Sequence, residues 1–457
     1  MDLNDKGGMR LKKILIANRG EIAARIIETC KRMGIETVAI YSDADQELNY
    51  VKEATYAYRV GENPVSKSYL QTKVILDIAK KEKVDAIHPG YGFLSENAQF
   101  AREIKENGVT FIGPSPEVIS LMGDKVEARK VMKDAGVPII PGSLDGVSSV
   151  DEALEIADEI GYPVMLKASG GGGGIGMQRC QNKDELIKAF QSTKNRAKAY
   201  FGSDKVFIEK FIPKARHIEI QLLGDSYKNV IHLFERDCSI QRRNQKVIEE
   251  SPSPFISEKT REKMCKAAVK AAKYVGYEGA GTIEFVVDEQ EQFYFLEMNT
   301  RLQVEHRVTE MITNLDLVEW QIRIASGEKL SLTQNELYQD GHAMEFRLYA
   351  EDPVKFLPSP GKITEFSYPS IDDIIVDWAY KKDDTVTPFY DPLIAKIIVK
   401  GRNRQETIEK AKTFLSSMKI SGIKTNLPLF LDLLQDSEFI KGKYTTKFLE
   451  ERTKQQS

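Results

Sequence analysis

Five consecutive glycines, Gly170–Gly174, follow a short apolar segment, "PVMLKA", that carries one lysine, Lys167. Glycine adopts positive φ and lets other atoms approach the main chain, but each glycine costs conformational entropy on folding. Apolar, strand-like segments lie on both sides of the run, whereas flexible linkers are long and polar. The pattern therefore predicts a loop between two strands, with backbone N–H groups that bind phosphate oxygens beside the lysine.

Other glycine-rich nucleotide loops fit this segment less well. The spacing GxGxxG occurs at Gly171, Gly173 and Gly176, but so many glycines almost guarantee it. A dinucleotide-binding turn leads from a strand directly into a helix, and here a second strand is predicted instead. A P-loop ends in Gly-Lys-Ser/Thr, and a protein kinase has its glycine loop before the strand lysine. A flexible linker is the alternative to a phosphate-binding hairpin.

Length and charge limit the classes of protein that this chain can belong to. The 457 residues are enough for about three domains. The 65 Lys and Arg residues are balanced by 68 Asp and Glu residues, so no positive excess indicates a nucleic-acid partner. No apolar run approaches the roughly 20 residues of a membrane span, and the first residues lack the apolar region of a signal peptide. Four widely spaced cysteines argue against a disulfide framework or a zinc ribbon, and we expect a cytoplasmic protein: Cys30, Cys180, Cys238 and Cys265.

The predicted elements divide the chain into parts. The segment "KKILIANRGEIAARIIETCKRMGIETVAIYSD" alternates strand, helix and strand, and further strands follow in "KVDAIHPGYG" and "VTFIGPS". Residues 1–112 are therefore predicted to form a doubly wound α/β domain, and 113–138 a linker. Residues 139–211 are predicted to form a small lid domain around the glycine loop, and 212–457 a C-terminal region of mixed strands and helices. The expected fold class is α/β and α+β.

A hairpin in the C-terminal region offers metal ligands. The segment "GAGTIEFVVDEQEQFYFLEMNTR" predicts two strands joined by the polar turn "DEQEQ". Because side chains alternate along a strand, Glu297 and Asn299 should share one face with Phe295, while Leu296 should lie on the other face. Pairing across the turn brings Glu284 near Glu297. Two carboxylates and an amide oxygen suit Mg²⁺ far better than zinc, although solvated polar positions on a two-faced sheet are the alternative.

Charged residues follow this hairpin in the segment "NTRLQVEHRVTE". Arg301 could hold a small anion and Glu305 could accept a proton, which would make a catalytic pair. The alternative is an ordinary i,i+4 ion pair on a helix surface. The segment "RDCSIQRRNQKVIEE" adds Arg242, Arg243 and Lys246, and these basic residues could form only a solvated face.

Together these segments resemble one family, the biotin carboxylase component of biotin-dependent carboxylases, which belongs to the ATP-grasp superfamily. The resemblance extends over nearly the whole chain, from "KKILIANRGEIAARII" and "HPGYGFLSENAQFA" through "KASGGGGGIGM" and "HLFERDCSIQRRNQKVIEESPSP". It continues in "EMNTRLQVEHRVTE", "GHAMEFRLYAEDP" and "PFYDPLIAKIIVKG". Few other families share even two of these motifs. The resemblance implies an ATP-grasp fold with a doubly wound N-terminal domain, a glycine-loop lid and a C-terminal mixed domain.

The resemblance implies a role for each matching residue. Lys125 and Lys167 would bind ATP phosphates under the glycine loop, with Glu209 and Lys210 at the adenine. Glu305 would be the general base that deprotonates bicarbonate, and Arg347 would stabilise the biotin enolate. The other implied positions are the nucleotide contacts Gly172, Gly173, Gly174, Ile212, His217, Gln241 and Asn244, the bicarbonate pocket of Lys246, Arg301, Gln303 and Val304, and the Mg²⁺ or Mn²⁺ ligands Glu284, Glu297 and Asn299.

The family's reaction gives the glycine loop a purpose. Bicarbonate attacks the γ-phosphate of ATP to form carboxyphosphate, which splits into CO₂ and phosphate. The phosphate then takes the proton from biotin N1, and the ureido anion attacks CO₂. Because carboxyphosphate hydrolyses readily, the site must close and exclude water, and a glycine hairpin can both bind phosphate and open for exchange.

Three positions depart from the usual pattern of the family. Ile175 stands where Arg or Lys is frequent, Asn244 where many members have His, and Arg307 where Pro or Thr is usual. Ile175 would remove one phosphate contact of the lid. Arg307 would lower the pKa of Glu305 if the two side chains approach each other.

Partners are implied by motifs that the sequence lacks. No Met-Lys-Met motif for biotin attachment is found, and the nearest string is Val131-Met132-Lys133-Asp134. We therefore expect biotin on a separate carrier protein, separate carboxyltransferase subunits, and a homodimer of this chain. The final acceptor stays open between acetyl-CoA, another acyl-CoA, pyruvate and another oxo acid, with an acyl-CoA preferred. Two other interpretations are an ATP-grasp ligase that acts on an amine and a non-enzymatic scaffold.

Overall fold

The computed structural model describes residues 11–168, 176–202 and 204–456. The N-terminal elements are β1 (Lys13–Ile16), α1 (Gly20–Arg32), β2 (Glu36–Ser42), α2 (Asn49–Glu53), β3 (Tyr56–Gly61), α3 (Thr72–Glu82), β4 (Ala86–His88), α4 (Ala98–Glu106) and β5 (Thr110–Phe111). The strands form a parallel sheet in the order β3-β2-β1-β4-β5. Ile14 and Ile16 pack with α1 on one face, and Leu15 packs with α3 and α4 on the other. Helices therefore cover both faces, and the predicted doubly wound α/β class is confirmed.

A small three-stranded sheet forms the next part of the molecule. Two helices come first, in the segment 113–138: α5 (Pro116–Gly123) and α6 (Lys125–Asp134). The small sheet and its helices follow: α7 (Val150–Ile160), β6 (Val164–Ala168), β7 (Met177–Cys180), α8 (Lys183–Phe201) and β8 (Val206–Lys210). The sheet is antiparallel in the order β7-β6-β8, and Lys167 pairs with Met177. Strands thus lie on both sides of the glycine run, as predicted. The glycines Gly172, Gly173 and Gly174, like Ile175, lie outside the described residues.

A long antiparallel sheet organises the rest of the chain. Its elements begin with β9 (Arg216–Gly224), β10 (Val230–Arg242), β11 (Gln245–Ser251), α9 (Glu258–Tyr274), β12 (Gly279–Val287), β13 (Phe293–Asn299), α10 (His306–Thr313), α11 (Leu317–Ala325) and β14 (His342–Tyr349). They continue with β15 (Gly361–Lys362), β16 (Glu365–Ser367), β17 (Ile374–Trp378), β18 (Thr385–Val386), β19 (Leu393–Gly401), α12 (Arg404–Ser417), β20 (Lys419–Ser421), α13 (Leu427–Leu433), α14 (Ser437–Ile440) and α15 (Phe448–Gln456). Eight strands pair in the order β13-β12-β9-β10-β11-β14-β19-β17. None of the helices in the described ranges has the length and apolar content of a membrane span.

A β-bulge in β13 changes which side chains share a face. Glu284 pairs with Glu297, but the next residue of β12, Phe285, pairs with Phe295, so Leu296 is an extra residue. Phe295 packs in the core together with Phe285, whereas Leu296, Glu297 and Glu284 face the cavity. The predicted hairpin and its Glu284–Glu297 pairing are confirmed. The prediction that Glu297 shares a face with Phe295 is wrong, because the bulge reverses the alternation at this point.

A tight turn joins β10 to β11. Arg243 and Asn244 have φ of 50° and 64°, which is the left-handed conformation that a two-residue hairpin turn requires. Asparagine adopts this conformation more readily than most residues, because its short side chain can hydrogen-bond locally. The turn sets the register in which Gln241 pairs with Lys246. In this register the Lys246 side chain lies at the cavity, largely shielded from solvent.

Glu250 of β11 ties the C-terminal elements to the long sheet. It is buried, and its carboxylate accepts hydrogen bonds from Arg404 and Tyr444, while the ring of His342 lies 2.7 Å from Oε2. Burial raises the pKa of Glu250, but Arg404 and His342 outweigh this effect and lower it from 4.5 to about 2. A depressed pKa means that this carboxylate stabilises the folded state above pH 4.5 and that the contribution is lost as the pH falls toward about 2.

Replacing Glu250 with alanine should therefore destabilise the protein. The variant leaves Arg404 without its buried partner, so we expect the free energy of unfolding near neutral pH to fall by roughly 3–5 kcal/mol. Urea-induced unfolding, followed by tryptophan fluorescence, measures the difference. The gap to the wild type should shrink as the pH falls below 4.5, the ordinary pKa of this side chain. The exposed residue Glu438 gives the control, since Glu438→Ala should change the stability by less than about 0.5 kcal/mol.

Candidate active site

A cavity of about 860 Å³ lies between the parallel sheet, the small sheet and the long antiparallel sheet. Polar and charged side chains from all three parts face it. The cavity collects every sequence-predicted site residue that the structure describes: Lys125, Lys167, Glu209, Lys210, Ile212, His217, Gln241, Asn244, Lys246, Glu284, Glu297, Asn299, Arg301, Gln303, Val304, Glu305 and Arg347. These residues are far apart in sequence, and the sheet order brings them together.

Lys246 lies at the centre of the charged groups. Its Nζ atom is 2.6–2.8 Å from carboxylate oxygens of Glu219, Glu284 and Glu305. Burial lowers the pKa of Lys246, but the three carboxylates outweigh burial and hold the pKa well above its ordinary value. The ammonium group is therefore charged at neutral pH. The alternative of a solvated basic face fits Arg243, which is exposed, and not Lys246.

Glu305 is the residue that precedes α10, and it is fully buried. Its Oε1 atom accepts a hydrogen bond from Lys246 at 2.6 Å, and its Oε2 atom accepts one from Arg347 at 2.9 Å. Burial raises the pKa of Glu305, but Lys246, Arg347 and Arg236 outweigh burial and hold it well below its ordinary value. The side chain is thus an ionised carboxylate that can accept a proton.

Arg307 does not take part in this cluster. Its guanidinium donates to both carboxylate oxygens of Asp377, at 2.7 and 2.8 Å, and also contacts Glu310. The cations that lower the Glu305 pKa are Lys246, Arg347 and Arg236. The condition for an effect of Arg307 on the Glu305 pKa is therefore not met, because the Arg307 side chain contacts Asp377 of β17 instead.

Arg301 also has partners that its local sequence does not indicate. Its Nε atom donates to Glu96 at 2.8 Å, and its Nη2 and Nη1 atoms donate to Asn299 at 2.9 Å and to Gln303 at 2.8 Å. The segment is not helical at Arg301, so the alternative of an i,i+4 surface pair with Glu305 is wrong. The guanidinium is positioned at the wall of the cavity, where it can meet an anion.

The donor set on β12 and β13 fits a divalent cation. Glu284 and Glu297 are register partners, Asn299 lies two residues further along, and all three line the cavity. Burial raises the pKa of Glu284, but Lys246 and His217 outweigh burial and hold it well below its ordinary value. Carboxylate and amide oxygens are the ligands that Mg²⁺ accepts in proteins, so these residues suit the metal that the sequence predicts.

The other end of the cavity carries lysines and an apolar wall. Lys167 Nζ lies 2.5 Å from Glu209, which also pairs with Arg129. Lys125 lies at the start of α6, with its Nζ atom 3.4 Å from Glu297. Lys210 donates to the main-chain oxygens at 161 and 162, at 2.9 and 3.2 Å. Apolar side chains, such as Met165 and Ile212, also line the cavity. Lysines suit the phosphates of a nucleotide, and apolar side chains suit its base.

Four more predicted residues take part in hydrogen bonds or ion pairs at the cavity: His217, Gln241, Gln303 and Val304. His217 Nε2 lies 2.9 Å from Glu284, and its Nδ1 atom lies 2.9 Å from Gln241 Nε2. Gln303 donates to Glu284 at 2.9 Å. The main-chain oxygen of Val304 accepts a hydrogen bond from Lys396 at 2.9 Å. His217, Gln241 and Gln303 therefore belong to the polar cluster that contains Glu284 and Lys246.

Sequence reasoning missed several residues of this network. Glu219 is fully buried and accepts hydrogen bonds from Lys246 and Arg236, each at 2.6 Å. Glu249 lies 2.5 Å from Arg347. Their sequence signal is a charged residue within an otherwise buried strand, as in "HIEIQ" and "VIEES". A charge in such a position is costly unless it is paired, so it indicates a site.

Comparison with known proteins gives the family. Three family models match: the biotin carboxylase N-terminal domain over residues 10–119, the ATP-binding domain of the carbamoyl-phosphate synthase L chain over 124–333, and the biotin carboxylase C-terminal domain over 345–451. Biotin carboxylase 2 of Bacillus subtilis is 57% identical over 96% of this chain and 99% of its own length. The chain belongs to the biotin carboxylase family. It is accordingly an ATP-dependent ligase, as the sequence predicts.

Relatives within the family carry different names. The 2-oxoglutarate carboxylase small subunit of Hydrogenobacter thermophilus is 50% identical over 96% of this chain and 93% of its own length. A crystal structure of the biotin carboxylase domain dimer of that organism's 2-oxoglutarate carboxylase holds MgADP, ADP and bicarbonate. It has a TM-score of 0.94, is 50% identical, and is matched over 97% of this chain and 98% of its own. The predicted ATP-grasp fold is confirmed by this similarity.

Replacing Lys246 with methionine tests whether this one cation sets the pKa values of the carboxylates around it. The stem of the side chain is kept, but Glu219, Glu284 and Glu305 lose their shared positive charge. Since Lys246 lowers the Glu305 pKa, its removal should raise that pKa and move the acidic limb of the pH–rate profile to higher pH. We expect ATP cleavage to fall by roughly 10²–10³-fold.

Steady-state ATP cleavage measured across the pH range gives both quantities. Lys266→Met is the matched control, because Lys266 is exposed on α9, and it should leave the rate and the profile unchanged. An unshifted acidic limb in Lys246→Met would contradict the assignment of Lys246 as the cation that controls Glu305.

Proposed function

We propose that the chain is the biotin carboxylase subunit of an acyl-CoA carboxylase, with acetyl-CoA as the preferred acceptor. It would catalyse the first half-reaction, in which biotin on a separate carrier protein is carboxylated with ATP and bicarbonate. The observation that supports this most directly is one cavity that holds an ionised buried carboxylate, Glu305, between the cations of Lys246 and Arg347. The binding of MgADP and bicarbonate by the Hydrogenobacter thermophilus domain supports the same ligands here.

The metal and the nucleotide would bind in this same cavity. Glu284, Glu297 and Asn299 would hold Mg²⁺, and the ion would neutralise charge on the ATP phosphates. Lys125 and Lys167 would bind the phosphates, with the loop glycines closing over them. The remaining nucleotide contacts would be Glu209, Lys210, Ile212, His217, Gln241 and Asn244.

Bicarbonate would bind between Lys246 and Arg301, beside Gln303 and the main chain of Val304. Glu305, which contacts Lys246, would take the bicarbonate proton as the oxygen attacks the γ-phosphorus of ATP. The products of that step are ADP and carboxyphosphate, which splits into CO₂ and phosphate. The phosphate would accept the biotin N1 proton, and the ureido nitrogen would then attack CO₂.

Arg347 would act in the second stage. Its guanidinium would stabilise the negative charge that develops on the ureido oxygen when N1 loses its proton. Fixed donors of this kind act strongly in a site that excludes water. The lid, residues 139–211, would exclude water from the site. It follows the N-terminal domain, 1–112, and the connecting segment, 113–138, and it precedes the C-terminal region, 212–457.

The partners follow from the reaction. A biotin carrier protein and carboxyltransferase subunits would complete the enzyme, and the chain would act in the cytoplasm as a homodimer. The dimer described for the Hydrogenobacter thermophilus domain supports this assembly. The names of relatives at 50% identity favour a second candidate, a subunit of a carboxylase for pyruvate, 2-oxoglutarate or another oxo acid.

Purified protein should cleave ATP only with Mg²⁺ and bicarbonate, and free biotin should increase the rate. Glu305→Gln should lose roughly 10²–10⁴-fold in bicarbonate-dependent cleavage, the usual scale for a general base, while MgADP still binds. Arg347→Ala should keep part of this cleavage but lose carboxybiotin, because Arg347 acts after carboxyphosphate forms. Phosphate release and carboxybiotin, measured in parallel, test both variants.

The exposed residue Glu262 gives a matched control, and Glu262→Gln should behave as the wild type. ATP cleavage that is equal with and without bicarbonate would contradict the proposed reaction. A normal yield of carboxybiotin per ATP in Arg347→Ala would show that Arg347 has another role.

The acceptor can be tested by offering two biotinylated carrier proteins, one from an acetyl-CoA carboxylase and one from an oxo-acid carboxylase. We expect faster transfer of radiolabelled bicarbonate to the acetyl-CoA carboxylase carrier. With the matching carboxyltransferase added, the label should move to acetyl-CoA. Preferential labelling of the oxo-acid carrier would favour the second candidate instead.

A further inference from the structure

Arg347 has two carboxylate partners, and only one of them has a role so far. Its Nη2 atom lies 2.9 Å from Glu305 Oε2 and 2.5 Å from Glu249 Oε1. The contact with Glu305 is a hydrogen bond, whereas the approach to Glu249 lacks hydrogen-bond alignment. One nitrogen of the guanidinium is therefore shared between the two carboxylates.

A second glutamate stands beside Glu249. Glu345 is its direct partner in the antiparallel register of β11 and β14, so both side chains lie on the same face of the sheet. Both residues are 0% exposed. Neither oxygen of Glu345 has a hydrogen-bond partner among the described residues. Two buried carboxylates in this arrangement cannot both carry a charge without a large cost, and one of them must hold a proton.

The surroundings decide which one holds it. Glu249 has the nearby cation of Arg347, while the cation that acts most strongly on Glu345 is Lys396, which contacts the main chain of Val304 and Glu21. Burial raises the pKa of Glu345 well above its ordinary value, and Lys396 offsets only part of this effect. Burial also raises the pKa of Glu249, which Arg347 partly offsets, and the result is about 7. Glu345 is therefore the neutral acid and Glu249 is the group that ionises.

We propose that Glu249 is a positioning residue, which when ionised draws the Arg347 guanidinium away from Glu305, with Glu345 beside it as a neutral acid. This inference rests on the proposed roles of Arg347 and Glu305. A guanidinium that is bound only to Glu305 lowers the basicity of this carboxylate. It is also less available to bind the biotin oxygen. A guanidinium shared with an ionised Glu249 holds Glu305 less strongly and leaves it more basic.

The charged and titratable groups around the pair come from several elements. The groups that face Glu249 and Glu345 are Arg347 and Tyr349 of β14, Lys246 of β11, Cys238 of β10, Lys396 of β19 and Glu305 before α10. Lys246 and Arg347 hold the pKa of Glu305 well below neutral, and burial raises the pKa of the Cys238 thiol well above its ordinary value. Near pH 7, Glu249 is therefore the member of this group that changes charge.

The test compares the pH dependence of carboxybiotin formation in the wild type, Glu249→Gln and Glu345→Gln. Below about pH 7 wild-type Glu249 is protonated and resembles glutamine, so Glu249→Gln should match the wild type there. Above that pH the wild type should be faster than Glu249→Gln by roughly 10- to 100-fold, the usual scale for a group that orients a reacting side chain. Glu345→Gln copies a neutral acid and should follow the wild-type curve throughout.

Glu249→Asp provides a rescue variant. It restores a titratable carboxylate, so the rise in rate with pH should return, with a smaller amplitude because the shorter side chain reaches Arg347 less well. This variant also serves if Glu249→Gln does not fold, and MgADP binding checks folding in each case. A ratio of wild type to Glu249→Gln that stays constant with pH would overturn the proposal, as would a loss of the rise in Glu345→Gln.

Failure of the proposed function looks different from failure of this inference. Wild-type protein that forms no carboxybiotin at any pH would contradict the biotin carboxylase reaction itself. Wild-type protein that forms carboxybiotin, together with a Glu249→Gln curve parallel to it, would contradict only the positioning role of Glu249.

Discussion

Lys246 Nζ joins three buried carboxylates that come from separate parts of the chain, Glu219 of β9, Glu284 of β12 and Glu305 before α10. Removing such charges from water costs several kcal/mol for each ion unless opposite charges meet them with good geometry. In the register that β9, β11 and β12 take, this ammonium group reaches all three carboxylates and offsets that cost. The same contacts lower the pKa of Glu305, so the interaction that offsets the cost of burying these charges also keeps the proposed general base ionised.

Strand order separates the reacting groups from the groups that would bind the nucleotide. Lys246 and Arg347 lie on strands that have neighbours on both sides, and packing fixes their positions. Glu297 lies on β13, the last strand of the sheet, and Lys167 lies on the separate small sheet. Fixed dipoles and charges are what transition-state stabilisation requires, whereas substrate exchange requires parts that can separate. The architecture supplies each property where the reaction would use it.

Much of this was accessible from the sequence, because alternation and spacing along a single segment are local signals. The β-α-β start, the strands around the glycine run and the pairing of Glu284 with Glu297 all follow from such signals. The bulge at Leu296 was not predicted, since it depends on how β13 fits against its neighbour. The hydrogen bond from Arg301 to Glu96 was not predicted either, because Glu96 lies on a loop that is distant in sequence and comes near only in the folded chain. Segment 169–175 lies outside the described residues, so the phosphate contacts of the glycine loop stay a prediction.

Glu219 and Glu249 show why a buried charge is informative even when its role is not. Each is a carboxylate on a strand whose neighbours are buried, and each meets a cation that also touches Glu305. The cations of this cavity therefore have more carboxylate partners than they have charges. Because several carboxylates share each cation, protonation of one carboxylate changes how strongly the cation binds the others. In a site of this kind the basicity of Glu305 is a property of the whole network, and Glu219 and Glu249 would contribute to it through Lys246 and Arg347 without contacting the substrate.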